Sequence, residues 1–212
     1  MQCTESDTII PNSEFYLSMF YSIIRAIATF FFHIIFHIKV CGREHIVSAG
    51  QILFCNHQSY IDPVFLINAF PRKCGKIHFM AKASLWKNPV LRLAFPLMNV
   101  FPVKRGEGDQ DALVKAGEYA KTATLGIFPE GTRSKKGGLL RFKSGTALIA
   151  TTTGAPLLPC CIYYEKGLAF RRKITIRFGE SMNPADYENI RDLTRAMRAS
   201  IEELLAQKHN AD

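Results

Sequence analysis

Short apolar runs recur along the chain at 38–41, 51–55, 77–80, 99–103, 124–128, 157–164 and 173–178, alternating with segments of helical spacing. Strand-length runs that alternate with helices predict βαβ units, and hence an α/β fold around a largely parallel sheet flanked by helices. With 212 residues, 48% of them hydrophobic, and neither an internal repeat nor a long linker, the chain suits a single domain with a sizeable core. At the C-terminal end, Ile190, Leu193, Met197, Ile201 and Leu204 follow a 3.6-residue period, which predicts a helix packed on the sheet.

The connection after the second run, Asn56-His57-Gln58-Ser59-Tyr60-Ile61-Asp62-Pro63, places an imidazole and a carboxylate five positions apart. Five steps of an α-helix turn two side chains away from each other, so the pair belongs to a strand-to-helix turn, with Pro63 opening a helix through Phe70. Such turns are where open α/β sheets carry their sites. His57 can accept a proton near neutral pH, and a carboxylate on its other ring nitrogen would fix the tautomer. Read alone, Asp62 could equally be a cap for the helix that Pro63 begins.

Two further strand ends carry polar blocks. Phe128-Pro129-Glu130-Gly131-Thr132-Arg133-Ser134 follows the run ending at 128, and Phe101-Pro102-Val103-Lys104-Arg105-Gly106 ends in two adjacent cations and a glycine. Ala155-Pro156-Leu157-Leu158-Pro159 leads into another strand. Guanidinium groups bind phosphate oxygens through a planar fork, which makes Arg105 and Arg133 natural anchors for a phosphorylated substrate. The segment Lys143-Ser144-Gly145 precedes a helix through Thr153, whose first amides could meet a phosphate or simply be capped by Ser144.

These four blocks, in this order across residues 51 to 165, resemble those of the lysophosphatidic acid acyltransferase family, the glycerolipid acyltransferases with an HxxxxD motif. The resemblance implies transfer of an acyl chain from acyl-coenzyme A or acyl carrier protein to the 2-hydroxyl of 1-acylglycerol 3-phosphate, giving phosphatidic acid. It implies that His57 is the general base and Asp62 its orienter. It also implies that Lys104, Arg105 and Arg133 meet the glycerol phosphate and that Glu130, Gly131 and Thr132 belong to the acceptor site. No metal or bound cofactor is expected, because attack of a hydroxyl on a thioester needs a base and an oxyanion site only. The oxyanion donors could come from the Asn56 loop or the Gly131 loop. Another lysolipid, such as a lyso-ornithine lipid, would serve the same base; a non-catalytic module binding anionic membranes is a reading from another class, which the intact His57 and Asp62 oppose.

A formal charge of +9 fits an anionic membrane, coenzyme A or an acidic carrier; the absence of any nucleic-acid motif sets nucleic acid aside. The six cysteines, at 3, 41, 55, 74, 160 and 161, have neither zinc-ligand spacing nor disulfide-scaffold density, so a reducing compartment and a packing role are expected. Trp86, Phe95 and Phe101 are expected in the core, with the lining of an acyl tunnel or contact with lipid as the alternative.

Phe15 to Ile38 is apolar and long enough to cross a bilayer, yet Ser18, Ser22, Arg25, Thr29 and His33 form a polar stripe along it. An arginine at the bilayer centre costs ~2.5–3.5 kcal/mol on insertion scales. Residues 1–37 are therefore expected to be a membrane-associating helical segment lying in the interface, with a single span as the alternative, and residues 38–212 the catalytic domain. Acidic Glu5, Asp7 and Glu14 precede the run while Lys39 and Arg43 follow it, which argues against a cleaved leader and predicts a catalytic domain facing the cytoplasm.

Overall fold

The computed structural model describes residues 27, 30, 34–47, 50–103, 110–134, 137–165 and 172–207. Among the described residues seven strands form one sheet: β1 (Phe36–Cys41), β2 (Gln51–Cys55), β3 (Ile77–Lys82), β4 (Val100–Val103), β5 (Thr124–Ile127), β6 (Leu157–Tyr164) and β7 (Arg172–Phe178). Their spatial order is β1-β7-β6-β2-β5-β3-β4, and every pairing is parallel except β6 with β7. The expected α/β architecture with a largely parallel sheet is therefore the one found. The helices are α1 (Asp62–Ala69), α2 (Pro89–Leu97), α3 (Gln110–Thr122), α4 (Gly145–Thr153) and α5 (Ile190–Ala206).

Both faces of the sheet are covered, which is why its central strands read as unbroken apolar runs. Along β2, Ile52 and Phe54 join one cluster, with Ala116 and Ala120 of α3, Ala147 and Ala150 of α4, and Leu193, Met197 and Ile201 of α5. Leu53 and Cys55 point the other way, into a cluster with Phe65 and Leu66 of α1 and Ile174, Ile176 and Phe178 of β7. The C-terminal helix thus buries the residues its period marked. Gly126 on β5 is required by closeness: a Cβ there would lie 2.4 Å from the Phe79 ring.

Cys55, Cys74, Cys160 and Cys161 are buried free thiols, and Cys41 is half-buried. Burial pushes Cys161 up to about 12, so it packs as a small neutral group. Phe101 is buried beside Tyr119, as expected for a core residue.

The N-terminal apolar segment lies for the most part outside the described residues. Its last part departs from the helix expected over Phe15 to Ile38, since Phe36, His37 and Ile38 are already strand and pair with Arg172, Lys173 and Ile174. The backbone ladder to β7, rather than apolar content, decides where that segment ends. Among the described residues no helix is long and apolar enough to cross a membrane.

Candidate active site

The carboxyl ends of β2, β5 and β6 lie side by side, and the loops leaving β2 and β5 meet there. Asn56, the first residue after β2, is buried, and its amide both donates to the Ile162 carbonyl (3.0 Å) and accepts from the Ile162 N–H (2.8 Å). This pair of hydrogen bonds to β6 sets the height at which the loop begins. His57 follows. Its backbone N–H donates to Glu130 Oε1 (2.8 Å), and its carbonyl accepts from the Ser134 N–H (2.8 Å), joining the β2 loop to the β5 loop.

The imidazole Nδ1 sits 2.9 Å from Asp62 Oδ2. Asp62 is wholly buried, and the same oxygen accepts from the N–H groups of Gln58 (2.7 Å) and Ser59 (2.8 Å). Its Oδ1 accepts from the Tyr164 hydroxyl. The backbone donors precede Asp62 in the chain, so the carboxylate closes the 57–62 turn instead of capping the helix that follows. A carboxylate partner places the proton on Nδ1 and leaves the Nε2 lone pair free for a substrate. The ring stacks on Phe128 at 4.0 Å between centroids, is 17% exposed, and borders a cavity of about 490 Å³.

That cavity is apolar over most of its wall. Leu85, Leu91, Phe95 and Met98 line it from α2 and the turns on either side of it, Phe79 and Met80 from β3, and Ile149 from α4. Among the described residues Lys82 and Lys143 are the cations that line it, and the start of α4 contributes Gly145 and Thr146. Ser144 makes no side-chain cap to that helix. Phe95 therefore combines a core position with a cavity wall, backed by Trp86 at 4.4 Å.

The β5 loop supplies the opposite bank. Gly131 adopts φ 68°, and its N–H returns to the Phe128 carbonyl at 3.0 Å. A Cβ at this position would press on the Lys143 side chain at 3.1 Å, so glycine lets that lysine lie against the loop. Glu130 is buried under the loop, its Oε1 taken by His57 N–H and its Oε2 by Leu140 N–H (2.9 Å). Expected in the acceptor site, Glu130 bridges the backbones that carry the site, and the cavity-lining residues do not include it. Thr132 is exposed, and the Arg133 guanidinium lies 3.3 Å above the Tyr60 ring. Lys104 and Arg105 lie outside the described residues; Val103, just before them, lines the cavity.

Burial raises the Glu130 carboxyl above its ordinary value, against the pull of its two backbone N–H partners. A raised carboxyl holds its proton more tightly in the folded state, so the stability linked to it is greatest at acid pH and is lost as pH climbs through the raised value. Relative to Glu130→Gln, the wild-type Tm is expected to fall as pH rises across that window in a thermal-denaturation series. Parallel curves for the two proteins would disprove this linkage.

Lys82, Tyr164 and, beside Phe95, the cavity-lining Leu91 and Met98 are the parts that sequence reading missed, whereas the sequence singles out Lys143. For α2 a signal existed, since Leu91, Phe95 and Met98 recur at helical spacing. For Tyr164 none did.

The family model described as Acyltransferase matches residues 37–163. A 1-acyl-sn-glycerol-3-phosphate acyltransferase of Bacillus subtilis is 28% identical over 184 residues, covering 79% of this chain and 87% of that protein. The chloroplastic 1-acyl-sn-glycerol-3-phosphate acyltransferase BAT2 of Brassica napus is 36% identical over 56% of this chain, and the match spans only 35% of the plant protein. In fold, the chain is similar to the crystal structure of the 1-acyl-sn-glycerophosphate acyltransferase PlsC from Thermotoga maritima, with a TM-score of 0.71 at 23% identity over 94% of this chain and 84% of that one.

Proposed function

The chain belongs to the acyltransferase family, and from that premise we propose that it transfers a fatty acyl group from a thioester to the 2-hydroxyl of 1-acyl-sn-glycerol 3-phosphate, yielding phosphatidic acid. The observation that carries this reading is His57 held by the buried Asp62 at the edge of an apolar cavity that two lysines also line. Nε2 of His57 takes the proton of the acceptor hydroxyl as its oxygen attacks the thioester carbonyl. The tetrahedral intermediate then collapses, the carbon–sulfur bond breaks, and the imidazolium returns the proton to the departing thiolate. Atoms balance with acyl-coenzyme A or acyl carrier protein as co-substrate, and no further cofactor is invoked.

The relatives from Bacillus and Brassica are named for this acceptor, which supports the substrate class. Lys82 and Lys143 border the cavity, and Arg133 is held on Tyr60 nearby in the chain to Gly131; these cations, together with Lys104 and Arg105, are the proposed phosphate anchors. Gly131 and Thr132 complete the acceptor bank, while Glu130 serves by holding the His57 loop. The apolar wall receives an acyl chain. A net charge of +9 favours an anionic leaflet, and the proposed location is the membrane surface with the catalytic domain facing the cytoplasm.

The test is a comparison of acceptors on lipid vesicles. Arg133→Ala and Lys143→Ala should each raise KM for lysophosphatidic acid and leave KM for the acyl donor nearly unchanged. A charge-assisted contact is worth ~1.5–3 kcal/mol when shielded, and the exposure of Lys143 puts its effect at the lower end, about ten-fold in kcat/KM. A lysolipid without phosphate should show little of this penalty. Equal losses with both acceptors would remove the phosphate assignment, and a wild-type preference for the neutral lysolipid would favour another acceptor. In the same preparation the protein should sediment with anionic vesicles and be released by salt if charge contributes to its membrane location.

A further inference from the structure

We infer that Tyr164 is a positioning residue of this enzyme: its hydroxyl holds the outer oxygen of Asp62 so that the inner one stays aimed at His57. The inference rests on the reading of His57 as the base and adds to it the group that fixes its partner.

Asp62 has two oxygens with unequal company. Oδ2 accepts from the His57 ring and from two backbone N–H groups, whereas Oδ1 has the Tyr164 hydroxyl as its donor. The carboxylate is wholly buried, so water cannot replace that donor. A partial rotation of the carboxylate about its Cβ–Cγ bond would carry Oδ2 off the His57 ring nitrogen. A donor fixed on each oxygen opposes that rotation.

The fold delivers the hydroxyl with little freedom. Tyr164 is the last residue of β6, which lies parallel to β2 with Cys55 opposite Cys160. The Asn56–Ile162 double hydrogen bond locks the height of the two strands just below the site. The Tyr164 ring rests edge-on against Phe65 of α1, 6.1 Å between centroids, on the helix that Asp62 begins. Strand and helix thus both set where the hydroxyl lies. Burial and the adjacent Asp62 charge push the phenol well up, which keeps it a proton donor throughout the working pH range.

The experiment measures steady-state kinetics of Tyr164→Phe, of His57→Ala and of the double variant, with the full chain on lipid vesicles. Loss of a hydrogen bond to a charged group should lower kcat roughly ten- to a hundred-fold, with KM for both substrates within about two-fold of wild type. In the His57→Ala background the same change should have no further effect on the residual rate, because Tyr164 acts only through the imidazole. An unchanged kcat for Tyr164→Phe, or an equal loss with and without His57, would overturn the inference and leave Tyr164 a packing residue. Full activity of His57→Ala alone would instead overturn the assignment of the base. If Tyr164→Phe does not fold, site-specific insertion at this position decides: 4-aminophenylalanine, which keeps a donor, should restore the rate, and 4-fluorophenylalanine should not. Equal rates for those two would also overturn it.

Discussion

Replacing His57 with alanine is expected to lower kcat for acyl transfer by about 10²–10⁴-fold, the usual contribution of a positioned general base. The fold should survive. The links that His57 makes between the two loops use its backbone N–H and carbonyl, to Glu130 and from Ser134, and alanine keeps both. Asp62 would lose one donor of four and retain the amides of Gln58 and Ser59 and the Tyr164 hydroxyl. Circular dichroism and vesicle sedimentation should therefore match wild type while the rate collapses. A variant that kept more than about a tenth of wild-type kcat would rule out the proposed base, since even the weakest such base contributes ~10²-fold.

Asp62→Asn is expected to cost about 10²–10³-fold in kcat, the range for losing one fixed electrostatic stabiliser of transition-state charge. The surroundings define what kind of loss this is. An asparagine can turn its carbonyl toward His57, Gln58 and Ser59 and its amide toward Tyr164, whose hydroxyl can reverse from donor to acceptor. The imidazole then keeps its tautomer, and what disappears is the negative charge that offsets the imidazolium. Stability should change little, and kcat should fall much more than KM rises. A destabilised protein with full activity per folded molecule would mean that Asp62 serves the turn and not the reaction.

Much of this architecture was legible because a parallel sheet buried on both faces writes its strands as contiguous apolar stretches. β2 and β6 occupy the expected residues, and β7 begins one residue early. β3 runs on to Lys82, past the end of its apolar run, because its ladder with β4 continues through Ala81 opposite Pro102 and Lys82 opposite Val103. Backbone pairing does not register in a hydrophobic pattern. The His57–Asp62 pair was visible because both lie in one turn. Tyr164 is 102 residues from Asp62, and only the strand register shows that it, rather than Tyr163, supplies the hydroxyl. Glu130 stood out as part of a motif, but the direction of its carboxylate depends on the left-handed turn at Gly131, which a sequence does not display.

β1 is the earliest of the seven strands to be synthesised, and the one neighbour it has in the sheet is β7, whose residues emerge well over a hundred positions later. At a synthesis rate of ~5–20 residues per second, that interval is on the order of ten seconds. β2 to β6 can pair among themselves in the meantime, which brings His57, Asp62 and Tyr164 together before β1 has anywhere to go. Until then β6 keeps one bare backbone edge. β7 covers that edge antiparallel and offers its far side to β1, so the strand first to leave the ribosome depends for its place in the sheet on the one made last.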